Sequence, residues 1–363
     1  MLNYILKPLL RKSPFDPKNI PAGKVKNILI VKQHNQLGDM LCSLPLFAAI
    51  RNKFPESYIT LVASKDNFDI FNSPAEKHFD RLLLYDKSSP KTISDFIRKL
   101  RSRKYEIGIV PSTVSFSHTS HLINFISGAV ARAGIRSADK KFNKYEYLLN
   151  IKGDFDWDKN SLHQIYRNLE IGELVGCSMT KEQLGKVRLE LSADENHFAG
   201  EFLLKNFNNS SITVGFHPGA GKPPNRWKQE NFISLIEKLS SDLNPNIVIT
   251  SGPMDTEVIK PVKEYISKRD IRYAISENIP LRLNAAIISK FDLFITNDTG
   301  PMHIANYLRT PMIALFGPTN GYEWGPVFEH QDYIQSPTGD INDISAEVVY
   351  NKAISILKET NKI

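Results

Sequence analysis

An acidic residue follows the first long apolar run of the chain, where it could act as a base. Residues 28–31 (ILIV) precede KQHNQLGDMLCSLPL, in which Gly38 allows a tight turn and Asp39 falls in the first turn of a helical pattern. A carboxylate in this position can accept the proton of an attacking hydroxyl group. The alternative is that Asp39 only caps the helix, because aspartate is favoured at helix N-caps.

A second candidate site lies in the loop HPGAGKPPNRW, residues 217–227. Gly219 and Gly221 permit close approach of the backbone, and the helical pattern that follows directs backbone amides toward the loop. Lys222 and Arg226 add cations, and arginine can bind two phosphate oxygens at once. The loop therefore indicates a phosphate site. The alternative is an ordinary Gly/Pro loop with solvated charges.

A third loop, NDTGPMHIA, occupies residues 297–305. It places Asp298, Thr299 and Gly300 at the end of an apolar run and His303 in the first turn of the next helical pattern. The backbone amides at a helix N-terminus favour an anion, and a carboxylate can accept hydrogen bonds from sugar hydroxyls. A histidine beside apolar residues is more often structural, so His303 is a candidate mainly because of its neighbours.

The three loops need elements that hold them in place. Each follows an apolar run, and apolar runs alternate with helical patterns from residue 25 onward and again from residue 211. This alternation predicts parallel sheets covered by helices, with ligands at the carboxyl ends of the strands. We predict an α/β chain of two doubly wound, Rossmann-like domains, residues 1–190 and 191–363, that face each other across a cleft. The last helix could pack back on the first domain.

The segment between the two repeats, residues 139–160, is polar and less regular. It contains DFDWD, residues 154–158, which could be mistaken for a Mg²⁺ or Mn²⁺ site. The tract does not follow an apolar strand, so we interpret it as a solvated loop. Cys42 and Cys177 lie far apart without spaced His or Cys partners, so we expect neither a disulfide nor a zinc site.

Charge and hydropathy indicate the binding partners and the cellular location of the protein. Residues 1–170 hold 27 Lys and Arg against 16 Asp and Glu, whereas the remainder holds 19 against 23. A basic first half favours an anionic partner, such as nucleic acid, a phosphorylated glycolipid or a membrane surface. No apolar run is long enough to cross a bilayer and no secretory signal is evident, so we expect a cytoplasmic protein. Residues 1–20 mix large apolar side chains with cations, which fits either a membrane interface or a packed N-terminal helix.

Three segments, in this order, resemble the heptosyltransferases of glycosyltransferase family 9, which have the GT-B fold. They are residues 28–55 (ILIVKQHNQLGDMLCSLPLFAAIRNKFP), 215–239 (GFHPGAGKPPNRWKQENFISLIEKL) and 294–320 (FITNDTGPMHIANYLRTPMIALFGPTN). The resemblance spans roughly residues 25–330. It implies an inverting transfer of heptose, typically from ADP-L-glycero-D-manno-heptose, to the core of lipopolysaccharide at the cytoplasmic face of the inner membrane.

The resemblance also implies roles for residues. Asp39 matches the family's catalytic aspartate, proposed to act as general base. Helix termini and cations can stabilise the leaving diphosphate, so we expect no metal and no cofactor. The donor-binding candidates are Gln36, Gly38, His217, Gly219, Ala220, Lys222, Arg226, Gly252, Asp298, Thr299, Gly300 and His303.

The chain departs from the family pattern beside Trp227. Asn225 stands where a lysine is common, and Lys228 stands where proline is usual. Two alternatives therefore stay open: a GT-B enzyme with another nucleotide-sugar donor in core or O-antigen assembly, or a non-catalytic protein that binds a glycolipid or nucleotide. The turn QLGDML lacks the G-x-G-x-x-G pattern of dehydrogenases, and no nucleic-acid-binding module is recognisable.

Overall fold

The computed structural model describes residues 22–207 and 211–363. The segment predicted to contact a membrane, residues 1–20, lies outside the described residues. The chain divides into two compact units, and the boundary falls after Val187, compared with the predicted boundary after residue 190. Each unit is built around its own sheet of mainly parallel strands, with helices between the strands, so the predicted α/β fold class is confirmed.

The sheet of the first unit is doubly wound. Its strands are β1 (Asn27–Lys32), β2 (Tyr58–Ser64), β3 (Arg81–Tyr85), β4 (Ile107–Val110), β5 (Ala131–Ala138), β6 (Lys141–Phe142) and β7 (Ile151–Phe155). The order β3-β2-β1-β4-β5 is parallel throughout, and beyond it β5 pairs with parallel β7 and antiparallel β6. The direction of winding changes between β1 and β4, which makes this the switch point of the sheet.

Helices and short turns connect these strands. The helices of the first unit are α1 (Leu37–Leu41), α2 (Leu44–Lys53), α3 (Lys65–Phe71), α4 (Pro90–Leu100), α5 (His118–Ile126), α6 (Gln164–Glu173) and α7 (Lys181–Lys186), with 3-10 turns at Ala22–Lys24, Glu146–Leu148 and Asp158–Asn160. Strand β1 lies between two parallel neighbours and is buried from Ile28 to Lys32. A strand covered on both faces is expected to be continuously apolar, as NILIV is.

The second unit repeats this winding. Its strands are β8 (Thr213–His217), β9 (Asn246–Thr250), β10 (Tyr273–Ser276), β11 (Leu293–Asn297), β12 (Met312–Phe316) and β13 (Gln331–Gln335). They pair in parallel in the order β10-β9-β8-β11-β12-β13. The switch point of this sheet therefore lies between β8 and β11.

The helices of the second unit follow most of its strands. They are α8 (Ala193–Asn206), α9 (Gln229–Leu243), α10 (Thr256–Ile266), α11 (Leu281–Ile288), α12 (Gly300–Leu308), α13 (Gly321–Trp324) and α14 (Ala346–Glu359), with 3-10 turns at Pro223–Asn225 and Ile341–Asp343. The sequence allowed the last helix, α14, to pack back on the first domain. In the structure it packs with α9 on the core of the second sheet, through Val349, Ala353 and Leu357.

Some elements differ from the prediction. The segment predicted as a polar loop at 139–160 contains β6 and β7, and Asp154 of DFDWD lies on β7, where it accepts hydrogen bonds from Arg136 and Ser137. Trp157 of the same tract is buried, and its indole nitrogen donates to Glu170 at 2.6 Å. The prediction of a solvated loop is therefore wrong in part: Asp154 lies on a strand although its side chain is 42% exposed, and Trp157 is not solvated. No helix of the described residues is long and apolar enough to cross a membrane.

A glycine on a central strand offers a test of this packing. A Cβ at Gly215 of β8 would lie 2.1 Å from the ring of Phe291, so Gly215→Ala should lower the free energy of unfolding by about 1–3 kcal/mol through overpacking. Urea denaturation measures this change. Gly200, inside α8, has no atom within 4 Å of its added Cβ, so Gly200→Ala should be stabilising by about 0.5–1 kcal/mol. Equal effects of the two substitutions would contradict the packing of β8.

Candidate active site

The switch point of the first sheet holds the predicted base. Helix α1 begins shortly after β1, and its N-cap is Gln36, so Asp39 lies inside the helix and does not cap it. The loop after neighbouring β4 supplies Pro111 and Thr113 at the same edge of the sheet. Parallel pairing thus brings residues about 70 positions apart into contact with Asp39.

Asp39 forms a buried ion pair with Lys32. Its exposed fraction is 2%, and Nζ of Lys32 lies 2.8 Å from its Oδ1. Lys32 is also buried, and its ammonium group donates a second hydrogen bond, of 2.7 Å, to the carbonyl oxygen of Pro111. The hydroxyl of Thr113 donates to the same Oδ1 at 3.3 Å. One carboxylate oxygen therefore has two donors of its own, and Oδ2 is the oxygen that is left for other chemistry.

A histidine that the sequence did not single out faces this second oxygen. Nδ1 of His34 lies 3.6 Å from Oδ2 of Asp39, and the imidazole side chain is 31% exposed. The two residues border a small cavity of about 10 Å³ that opens to solvent. Four serines also line it: Ser112, Ser115, Ser117 and Ser120. The only sequence signal for His34 was its place two residues after a buried strand.

The other two candidates in this unit have backbone roles. Gln36 is exposed, and its carbonyl oxygen accepts the first hydrogen bond of α1, from the amide of Met40 at 3.1 Å. The carbonyl oxygen of Gly38 accepts from the amide of Cys42 at 2.9 Å. Both residues shape the turn that positions Asp39.

The remaining ten candidates lie at one edge of the second sheet, near the ends of β8, β9 and β11. His217, the last residue of β8, is buried, and its Nδ1 lies 3.0 Å from Oγ1 of Thr250. Its Nε2 lies 3.6 Å from Oδ2 of Asp255. Burial lowers the pKa of His217, and the negative charge of Asp255 opposes that shift.

Asp255 also explains two of the predicted glycines. The amide of Gly252 donates to its Oδ2 at 2.8 Å, and a Cβ added at Gly219 would lie 2.2 Å from its carboxylate carbon. The sequence predicted that Gly219 makes room for a ligand, whereas its near neighbour in the structure is this carboxylate. Asp255 itself was missed, because nothing in DTEV distinguishes it from a helix-capping aspartate.

Asp298 lies at the end of β11 and is half-buried. Its Oδ2 accepts a hydrogen bond of 2.9 Å from the side-chain amide of Asn225, and the same amide lies 3.3 Å from the hydroxyl of Thr319. Burial raises the pKa of Asp298, while a hydrogen bond from Thr319 and the charge of Lys222 oppose the shift. Asn225, the residue that departs from the family pattern, is therefore a direct partner of the candidate sugar-binding carboxylate.

The loop after β8 is anchored to the end of β11. The side chain of Asn297 accepts from the amide of Trp227 at 3.2 Å and donates to the carbonyl oxygen of Pro218 at 2.8 Å. Nε of Arg226 donates to the carbonyl oxygen of Ala220 at 2.7 Å, so part of this guanidinium is used within the loop, whereas Lys222 is exposed. Of the two predicted cations, Lys222 is the more accessible.

Helix α12 directs its N-terminus to the same end of the sheet. Its N-cap, Thr299, forms no side-chain capping bond, and Gly300 is the first helical residue. The first amides of a helix without such a cap favour an anion. His303, in the first turn, is buried, and its ring lies 6.2 Å from that of Trp324. No group of three His, Cys, Asp or Glu side chains in the described part of the chain is arranged to hold a metal.

Comparison with known proteins identifies the family of the chain. The sequence model of glycosyltransferase family 9 (heptosyltransferase) matches residues 93–354. The chain belongs to glycosyltransferase family 9. It is 22% identical over 304 residues to the lipopolysaccharide core heptosyltransferase OpsX of Haemophilus influenzae, and the match covers 82% of this chain and 81% of that protein.

Solved structures agree on the fold. A family 9 glycosyltransferase from Veillonella parvula aligns with a TM-score of 0.78 at 22% identity, over 92% of this chain and 98% of that one. The ADP-heptose lipopolysaccharide heptosyltransferase II of Escherichia coli aligns with a TM-score of 0.74 at 20% identity, over 92% of this chain and 99% of that one. The chain is thus a glycosyltransferase of the predicted GT-B fold. The family match includes the loops of the second unit but begins after Asp39.

The buried ion pair of this family 9 enzyme can be tested by removing each charge and then both. Lys32→Met or Asp39→Leu alone should lower the free energy of unfolding by about 3–5 kcal/mol, because each leaves an unpaired buried charge. The loss of unfolding free energy in the double variant should be clearly smaller than the sum of the losses in the two single variants, because no charge remains unpaired. Urea denaturation of the four proteins completes the cycle.

A matched control uses the exposed pair of Lys186 and Glu182, whose side chains are 73% and 79% exposed. Lys186→Met should change the free energy of unfolding by less than about 0.5 kcal/mol. Additive effects of the Lys32 and Asp39 substitutions would show that the two charges are not coupled.

Proposed function

We propose that this family 9 glycosyltransferase transfers a heptose from ADP-L-glycero-D-manno-heptose to a hydroxyl group of a lipopolysaccharide core acceptor. The observation that carries the proposal is the pairing of Asp298 with the N-terminus of α12 at the switch point of the second sheet. A sugar diphosphate needs both a carboxylate for its hydroxyls and amides for its phosphates. The similar proteins from Haemophilus influenzae and Escherichia coli are lipopolysaccharide heptosyltransferases, which supports the choice of sugar and acceptor.

The second unit binds the donor in this proposal. The amides of Thr299 and Gly300 and the ammonium group of Lys222 contact the diphosphate, while Asp298 accepts hydrogen bonds from the heptose. These groups stabilise the charge that develops on the leaving diphosphate, so the transfer needs no metal. Asn225 adds no positive charge where the family commonly has lysine. Instead it orients Asp298 through a bond of 2.9 Å.

The first unit binds the acceptor. Its excess of positive charge suits a phosphorylated glycolipid rather than nucleic acid, because no nucleic-acid-binding module was recognised in the sequence. Asp39 acts as the general base, since a sugar hydroxyl is a poor nucleophile until its proton is removed. Attack from the side opposite the diphosphate inverts the anomeric centre. Such an acceptor places the enzyme at the cytoplasmic face of the inner membrane, with residues 1–20 as a peripheral contact.

One observation favours a second candidate. Because the neutral Asn225 replaces the common lysine beside Asp298, the site could accept a different nucleotide sugar while keeping the same fold. The donor then differs, but the roles of Asp39 and the α12 N-terminus do not.

The choice of nucleotide is testable by thermal stabilisation. A ligand that binds only the folded protein raises its stability by about 2.7 kcal/mol at 100 times its dissociation constant, so ADP at that excess should raise the unfolding temperature. UDP, GDP, CMP and NAD at the same concentration should not. Differential scanning fluorimetry measures the shift. Selective stabilisation by UDP or GDP would replace the donor in the proposal, and no response to any nucleotide would favour a binding protein without this chemistry.

The chemistry is testable by turnover with ADP-heptose and a truncated core acceptor. Asp39→Asn should lower kcat by about 10²- to 10⁴-fold, because it removes the basic carboxylate, while the stabilisation by ADP stays unchanged. EDTA should leave the wild-type rate unaltered. Lys186→Met, which removes an exposed charge outside the candidate site residues, serves as the control. If EDTA stopped turnover and Mg²⁺ restored it, or if Asp39→Asn kept full activity, this mechanism would be wrong.

A further inference from the structure

We propose that His34 is a catalytic residue and that the acceptor's proton passes to its imidazole, with Asp39 as the partner that holds the ring. This inference rests on the proposed function and refines it, because it replaces direct proton transfer to Asp39 by transfer through His34. Its basis is the arrangement of the two side chains at the switch point of the first sheet.

The first argument is access. The Asp39 side chain is only 3% exposed, and its Oδ1 already accepts hydrogen bonds from Lys32 and Thr113. Its other oxygen faces His34, whose imidazole is 31% exposed and borders the cavity. A substrate hydroxyl that enters the cavity from solvent therefore meets the imidazole more readily than the carboxylate.

The second argument is orientation. The carbonyl oxygen of His34 accepts hydrogen bonds from the hydroxyl of Ser64, at 3.1 Å, and from the side-chain amide of Asn67, so the backbone at His34 is fixed. Nδ1 is buried and has no hydrogen-bond partner within the described residues, and its nearest acidic oxygen is Oδ2 of Asp39 at 3.6 Å. Nε2 lies 3.4 Å from the hydroxyl of Ser115, which also lines the cavity.

These contacts resemble the arrangement in which a carboxylate orients a histidine base. A separation of 3.6 Å is longer than a hydrogen bond, but such contacts in a free enzyme commonly shorten when substrate binds. With Nδ1–H directed at Asp39, Nε2 is the acceptor nitrogen on the cavity side, and the acceptor hydroxyl takes the place of the Ser115 hydroxyl 3.4 Å away. Asp39 then fixes the tautomer and stabilises the positive charge that the ring gains.

The step balances as follows. The acceptor oxygen forms a bond to the anomeric carbon of the donor sugar, and its proton moves to Nε2 of His34. The bond from the anomeric carbon to the diphosphate oxygen breaks, and its electron pair leaves with the nucleoside diphosphate. The imidazolium ring is partly exposed, so it releases the proton to water before the next turnover. Lys32 and Thr113 keep the Asp39 carboxylate in place throughout.

Chemical rescue tests the role of the imidazole. His34→Ala and His34→Gln should each lower kcat at least 100-fold with ADP-heptose and core acceptor, while stabilisation by ADP is retained. Added imidazole should restore at least a tenth of the lost rate in His34→Ala, where the ring has left a space, but not in His34→Gln. Imidazoles of higher basicity should give faster rescue. His197→Gln is the matched control, because that histidine is 76% exposed and its Nε2 lies 3.3 Å from a carboxylate oxygen of the exposed Glu201.

The outcomes separate this inference from the proposed function. Near wild-type turnover in both His34 variants would overturn it while the proposed function stands. Loss of turnover that no imidazole restores, in a folded His34→Ala protein that still binds ADP, would also overturn it, because His34 would then have only a positional role. If the unmodified protein transferred no heptose, the proposed function would fail and this inference with it.

Discussion

Parallel pairing of strands is the constraint on which both units depend. In a doubly wound sheet, the connections on the two sides of the switch point leave toward opposite faces, so the loops there are not covered by a crossover helix. In the first unit this point lies between β1 and β4, and in the second between β8 and β11. The first holds Asp39 and the second holds Asp298. The segments that carry these carboxylates therefore lie where no crossover helix covers them, although the Asp39 side chain itself is buried.

Buried charges fix the geometry at these points. A buried ion pair contributes little net stability, because desolvation of both groups offsets most of their attraction, but it strongly favours one arrangement. Lys32 and Asp39 form such a pair directly beside the cavity of the first unit. His217 and Asp255 are a second close pair, at the end of the second sheet. The first pair joins the end of β1 to the helix that follows it, and the second joins the end of β8 to the segment after neighbouring strand β9, so each contact fixes the position of a segment after a strand.

The donor loop shows how structural and functional roles overlap. Gly219 is required because the carboxylate of Asp255 fills the space a Cβ would take, whatever ligand binds nearby. Asn297 holds the loop by contacts with Pro218 and Trp227. Asn225, placed by the turn before Trp227, then reaches Asp298. A family pattern read from sequence can therefore mark residues that shape a site as well as residues that touch the ligand.

Edge strands show where prediction from sequence stops for the fold. Central strands such as β1 and β8 are buried on both faces, so their apolar runs were unmistakable. Strands β10 and β13 each pair on one side only and are partly exposed, and their mixed composition did not mark them. Strand β7 was not predicted either, because it is partly exposed and lies within a polar segment.

The sequence by itself determined the two successive sets of alternating strands and helices and the family of the chain. It also determined the segments that carry the site residues Asp39 and Asp298. These are local features, since each candidate lies in the short segment that follows an apolar run. Only the tertiary structure decided which side chains meet: Thr113 and Lys32 at Asp39, Asn225 and Thr319 at Asp298, and His34 beside Asp39 at the cavity. The physical reason is that most of these contacts depend on the order in which strands pair, which places distant segments at one edge of a sheet.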